Sequence, residues 1–370
     1  MTWRRFLQKF DWFLFITILL LLALGVLMIY SATLGESIAD RSNTYRQIIY
    51  IAVGLRLLFL ICFLDYRIFR SYSRIFYVIM LAALVGVLIF GPEIRGTRSW
   101  FDLGIINLQP AEFAKFVMII VLAKYFSRHS DEMYKFKHVL VSGVLVLIPV
   151  GLTMIEPELG SALVIVFIWL GMLIFARVRW WHVGVIFGAL IAMGAFTWRF
   201  LLRDYQKNRL SAFLDPARDP LGQGYNVTQA KIAIGSGGVT GRGLGHGSQS
   251  QLNFLPEQHT DFIFAVMAEE LGFVGCIFLF ALFSFLFYRL IRIGRLARDR
   301  FGMFLVIGTT ILLLSQVFIN IGMNLGLLPV AGIPLPFLSS GGSSIITILV
   351  CIGMVLSVGL RSEEKSNAIG

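Results

Sequence analysis

Charge is scarce in this 370-residue chain: 14% of residues are charged, with 21 Asp and Glu against 32 Lys and Arg. Soluble domains carry about a quarter charged residues. With 57% hydrophobic residues, the composition excludes a soluble globule and implies a polytopic membrane protein. Cysteine is nearly absent. Cys62, Cys276 and Cys351 lie inside apolar stretches at unpaired spacings, which excludes a disulfide framework and a zinc site. The chain has no HExxH, phosphate-loop lysine or dinucleotide motif. It also lacks an internal repeat, so nothing supports a two-halved transporter.

What the chain does have is apolar length. Ten segments of about 20 residues are predicted as spans: 12–33, 45–64, 72–91, 110–127, 138–155, 159–176, 180–201, 261–288, 302–327 and 341–360. The first run follows Arg4, Arg5 and Lys9. It outlasts a signal-peptide core and has no small-residue cleavage site after it, so it is read as an uncleaved span. The expected fold is all-α, a polytopic membrane protein of about ten transmembrane helices. Residues 1–370 form one integral membrane domain, with a long extracytoplasmic loop, 202–260, between helices 7 and 8.

Charge placement sets the orientation. With the N-terminus inside, nineteen basic residues fall in cytoplasmic segments and four (Arg41, Arg46, Arg95 and Arg98) in the short outer loops. That asymmetry places both termini in the cytoplasm. The net charge of +11 is thereby topogenic, and no nucleic acid is needed to explain it. Arg56, inside span 2, is expected to pair with an acid or reach a headgroup.

Three outward-to-inward helices begin at a proline with an acid beside it: Pro110 with Glu112, Pro157 with Glu156 and Glu158, and Pro256 with Glu257. Each alone is ordinary helix-start chemistry. Together, on one membrane face, they point to a shared polar cavity facing outward. Asp261 sits where the polar 221–260 stretch meets the apolar run of span 8, so it can face water on a helix anchored in lipid. At 100° per residue, Ala265, Ala268, Gly272 and Gly275 fall within about 40° of it. That stripe serves either close helix packing or a groove for a lipid chain. Glu269 and Glu270, off the stripe, are read as structural acids. Segment 225–234 is expected to lie as an amphipathic piece on the membrane surface, and GSGG (235–238) as a flexible linker. The serines and glycines of 339–343 either cap span 10, the preferred reading, or line the cavity.

PLGQGYNVTQAKIAIGSGG, GHGSQSQLNFLPEQHTDFIFAVMAEELGFVG and PVAGIPLPFLSSGGSS resemble the signature blocks of the SEDS family (shape, elongation, division and sporulation). Within that family, GSQSQLNFLP and GSGGVTGRG are similar to the RodA-type elongation branch. The resemblance covers nearly the whole chain. It implies a peptidoglycan glycosyltransferase that polymerises lipid II outside the inner membrane, for elongation and rod shape, beside a class B penicillin-binding protein. The family's essential acid falls on Asp261, its outer-loop tryptophan on Trp100, and its QPxExxK block on Gln109, Pro110, Glu112 and Lys115. Two positions depart from the pattern: Glu156-Pro157-Glu158 stands where the family has QPD, and Ser340 where a tyrosine is common.

The chemistry so implied needs one carboxylate. A lipid diphosphate leaves without a general acid, unlike the leaving group in glycoside hydrolysis. Asp261 would take the proton of the acceptor sugar's 4-hydroxyl, which attacks the donor's anomeric carbon with inversion. Trp100, Glu112, Glu158, Glu257 and His259 are the expected substrate contacts. Developing diphosphate charge would meet cations drawn from Arg95, Arg98, Lys115, Arg203, Lys207, Arg209, Lys231 and Arg242. No cofactor and no protein-bound metal are required, although a divalent cation at the diphosphate is compatible with the scheme. Two other readings stay open: a lipid II flippase, and a non-catalytic scaffold that activates the penicillin-binding protein.

Overall fold

A computed structural model describes residues 8–34, 42–92, 99–102, 107–200, 223–252, 254–255 and 257–362. In chain order the helices are α1 (Trp12–Ala32), α2 (Ser42–Phe63), α3 (Arg67–Phe90), α4 (Pro110–His129), α5 (Phe136–Ile155), α6 (Leu159–Phe175), α7 (Trp180–Phe200), α8 (Gln223–Ser236), α9 (Ser248–Gln251), α10 (Ile263–Arg295), α11 (Arg300–Asn324) and α12 (Gly342–Leu360). A two-residue antiparallel pair, β1 (Phe101–Asp102) with β2 (Asn107–Leu108), precedes α4. The protein is all-α and polytopic: among the described residues, seven helices are long and apolar enough to cross a membrane. Helices occupy all ten segments predicted from hydropathy.

α4 is the central pillar. It packs against α3, α6 and α11, and most of its residues are buried, including Glu112 and Lys115. Around it the helices turn apolar side chains inward to one continuous core, and leave others such as Phe90, Trp180 and Phe187 exposed toward lipid. α2 and α12 approach most closely. A Cβ on Gly353 would stand 2.6 Å from the Leu58 carbonyl oxygen, the close backbone contact that small residues permit in membranes. Arg56 lies on the exposed side of α2, away from the core, and no carboxylate among the described residues pairs with it. α1 is tied to α10 at one end, where Arg289 Nη2 lies 2.7 Å from Asp11 Oδ1.

α10 is not the continuous helix assumed for the wheel. It is broken at Gly272 (φ 65°, ψ −163°), a conformation that suits glycine. The stretch GSGGVTGRG (235–243) fills the break instead of acting as a flexible linker. Phe273 and Val274 donate their N–H groups to the carbonyls of Gly238 and Val239 at 3.0 and 3.1 Å. In return Arg242 and Gly243 donate to the carbonyls of Glu269 and Glu270, both at 3.0 Å. The backbone groups freed by the break are thus satisfied by protein, as an apolar setting demands. Glu269 accepts from the N–H groups of Gln249 and Ser250 at 2.9 and 3.2 Å, and Glu270 from Ser31 Oγ at 2.6 Å. Both are structural acids, as expected.

The stripe of small residues is covered, which leaves no lipid groove there. Gly237 lies against the Ala268 carbonyl, and α8 packs Ala230 and Ala233 into a cluster with Phe262, Ala265 and Met323. That placement also corrects the expectation for 225–234. The segment is helical, but its small face docks on α10 instead of resting on the membrane surface.

Candidate active site

The first two turns of α4 carry two opposite charges, Glu112 and Lys115. Pro110 occupies the helix start and Gln109 the cap. Lys115 Nζ lies 2.6 Å from Glu112 Oε1, and the two side chains are only 1% and 4% exposed. An ion pair so fully desolvated persists because each partner would be far costlier alone. Gln109 joins α4 to its neighbours: its Nε2 donates to Glu158 Oε1 at 2.5 Å, and its N–H donates to Ser343 Oγ at 3.1 Å.

Glu158 caps α6, and burial pushes its carboxyl up, with the Gln109 hydrogen bond partly opposing the shift. Glu156, just beyond the end of α5, is fully buried and neither carboxylate oxygen has a hydrogen-bond partner among the described residues. Burial, and then the charge of Glu158, push its carboxyl up to about 9. It is therefore a neutral acid at pH 7, the form an unpaired buried carboxyl takes.

Asp261 lies in the turn leading into α10 and is fixed through its backbone. Its carbonyl accepts from Asn320 Nδ2 at 3.1 Å and from Asn324 Nδ2 at 3.0 Å. Asn324 Oδ1 in turn accepts the Ala265 N–H at 3.2 Å. The Pro-rich segment holds the other side: Ser339 Oγ donates to the Thr260 carbonyl at 2.5 Å, and the Ser340 N–H to the His259 carbonyl at 2.8 Å. Glu257 starts this turn at φ 51°, a left-handed conformation uncommon for a residue with a Cβ. Gly332 (φ 66°) adjoins the carboxylate: a Cβ built there would stand 3.8 Å from Asp261 Oδ2, in van der Waals contact.

These parts surround one cavity of about 420 Å³. Trp100, Glu112, Lys115, Glu158, Glu257 and Asp261 all line it, with Gln109, Thr260, Ser340 and Ser344 completing the polar wall. Three helix starts and the Pro-rich segment thus converge on the carboxylate. Lys115 is the one cation on the wall among the described residues. His259 is half-buried and does not line the cavity. The structure does not bring Lys231 or Arg242 to the cavity: Lys231 lies against Gly326, and Arg242 donates to Ser248 Oγ at 2.9 Å. Arg95, Arg98, Arg203, Lys207 and Arg209 lie outside the described residues, as do 202–222 of the long loop. No group of three or more His, Cys, Asp or Glu among the described residues is placed to hold a metal ion.

Sequence reasoning missed Asn320 and Asn324. Their signal was present: two amides one turn apart on a buried face of an apolar helix, where unpaired polar groups are costly. Capping is the preferred reading for 339–343, but Gly341 caps α12 with no side-chain bond; Ser339 and Ser343 stitch segments together, and Ser340 and Gly341 line the cavity, as the other reading has it.

The arrangement has known counterparts. A family model described as a cell cycle protein, FtsW/RodA/SpoVE, matches residues 11–364. The peptidoglycan glycosyltransferase MrdB of Escherichia coli K12 is 39% identical over 352 residues, covering 95% of each chain. Among solved structures, a chain from a peptidoglycan synthase complex coordinating polymerization and crosslinking superposes with a TM-score of 0.80. It is 34% identical, over 95% of this chain and 97% of that one. The crystal structure of the rod shape determining protein RodA of Thermus thermophilus gives 0.72 at 30% identity, over 96% and 98%. By family model, sequence and fold, the chain belongs to the FtsW/RodA/SpoVE family.

Proposed function

We propose that the chain is a peptidoglycan glycosyltransferase that joins lipid II units into glycan strands for cell elongation, with Asp261 as general base. The observation that carries this reading is the cavity wall itself: the carboxylate of Asp261, whose backbone carbonyl is held by two asparagines, with Gly332 beside it and a buried Glu112–Lys115 pair on the same wall. The acceptor's 4-hydroxyl transfers its proton to the Asp261 carboxylate as its oxygen bonds to the donor's anomeric carbon. The anomeric carbon–oxygen bond breaks with inversion, and the electron pair leaves on undecaprenyl diphosphate. Lys115 supplies positive charge close to that departing group, and Trp100 a ring face for sugar. The nineteen-to-four distribution of basic residues supports a cavity opening outside the cytoplasmic membrane with both termini inside. The resemblance to a synthase-complex chain supports a class B penicillin-binding protein as the partner that crosslinks the product.

The test uses the purified protein with its partner in detergent, where flipping has no meaning. Wild type should convert lipid II to strands, and Asp261→Asn should lower the rate at least about a hundredfold while still binding its partner. Strand formation at the wild-type rate by the variant would overturn the assignment and favour the scaffold reading.

A further inference from the structure

A second pocket, of about 490 Å³, lies at the opposite end of α4 from Asp261. Lys124 is twelve residues beyond Glu112, about 18 Å along the helix axis. α3 contributes Arg74 and Val78, α4 contributes Val121, Lys124 and Arg128, and α5 contributes Leu145. The pocket joins a cationic rim to an apolar wall.

Its neutral polar groups are already engaged. Tyr77 OH donates to the Leu145 carbonyl at 2.9 Å, Tyr125 OH lies 3.0 Å from His138 Nδ1, and His129 Nδ1 lies 3.0 Å from the Tyr125 carbonyl. Its cations are not neutralised. Lys124 Nζ donates to Ser73 Oγ at 2.8 Å, which leaves further ammonium hydrogens to give. The nearby acids are committed elsewhere, Glu132 to Lys135 at 2.7 Å and Asp131 to Arg300 at 2.9 Å. No carboxylate among the described residues pairs with Arg74, Lys124 or Arg128. These three stand on helix faces around a concavity.

We propose that this pocket binds an anionic phospholipid, its phosphate among Arg74, Lys124 and Arg128 and an acyl chain along Val78, Val121 and Leu145. Phosphate is the anion that several converging Lys and Arg donors suit, and basic pockets between membrane helices hold acidic headgroups in this way. A free phosphate ion would use the rim alone. The wall, with Val78 65% exposed, gives the lipid its second point of contact.

The experiment follows phosphatidylglycerol bound to the purified full-length protein in neutral detergent, by native mass spectrometry and by the rise in Tm on adding the lipid. Wild type should retain phosphatidylglycerol in preference to phosphatidylcholine. Arg74→Gln/Arg128→Gln, both exposed positions, should weaken retention about tenfold or more and remove the rise in Tm, and Lys124→Gln should weaken retention by a smaller factor. Arg292→Gln/Arg295→Gln, a matched charge removal elsewhere in the chain, should leave both unchanged. Equal loss in that control, equal retention of phosphatidylcholine, or the same protection from inorganic phosphate alone would each overturn the proposal.

Discussion

The two ends of α4 handle charge in opposite ways. At the cavity end, Lys115 is out of contact with solvent and its partner Glu112 is held at 2.6 Å in the same turn. At the far end, Lys124 is half-buried and donates to a serine hydroxyl, and Arg74 and Arg128 stand exposed around it. A desolvated pair is a fixed part of the scaffold, since removing either partner strands the other in a medium that cannot solvate it. Half-exposed cations without acids cost the fold little and are available to something outside the chain. One helix thus carries a preorganised wall at one end and a recruiting surface at the other.

The comparison breaks most sharply at Lys115. Lys115→Met should destabilise the protein by about 3–5 kcal/mol by leaving Glu112 buried and alone, and Glu112→Gln/Lys115→Met should recover most of that. Lys124→Met should cost less than about 1 kcal/mol. Unfolding in mixed micelles measures all three, and equal losses at the two lysines would erase the distinction.

A second contrast is in pH. Glu156 is raised from its ordinary value of 4.5 to about 9, so the folded state holds a proton that the unfolded chain gives up. Its stabilising contribution is complete below pH 4.5, declines as pH rises toward 9, and is gone above that. Glu156→Gln should flatten this alkaline decline in a Tm–pH profile and raise Tm at pH 8 relative to wild type. Glu132, at the other end, is held below its ordinary value by hydrogen bonds from Lys135 and then His138. Its contribution is present at neutral pH and fades as pH falls through that lowered value, so Glu132→Gln should leave the alkaline limb unchanged.

The smallest effect expected is at Ser73. Ser73→Ala removes one hydrogen bond to a half-buried ammonium and should cost about 0.5 kcal/mol, read in the same micelle unfolding assay.

The spans were legible because an apolar run of 20 residues has few alternatives in a chain this hydrophobic. Predicted and observed ends differ by at most seven residues; the largest gap is at α10, which runs on to Arg295 past the segment that ended at 288. The convergence of Glu112, Glu158, Glu257 and Asp261 was also legible, because three proline-led helix starts shared one inferred membrane face. What hydropathy could not show was Gly272. A helical wheel assumes unbroken geometry, and only the paired loop reveals the break. Lys231 and Arg242 were misplaced for a related reason: charge and proximity in sequence do not say which way a folded loop turns its side chains. The pocket at Lys124 was overlooked because its cations were absorbed into the count that set orientation.

A rod interrupted at Gly272 and threaded by residues 237–243 cannot slide along its own axis without dragging that loop with it. Asp261 is gripped by Asn320 and Asn324 on one side, and its helix by the inserted loop on the other, all through bonds between protein groups. A bilayer that thickens or thins must therefore tilt or stretch the bundle as a body. The spacing between the Asp261 carboxylate and the first turns of α4 and α6 is thereby insulated from the thickness of the surrounding lipid.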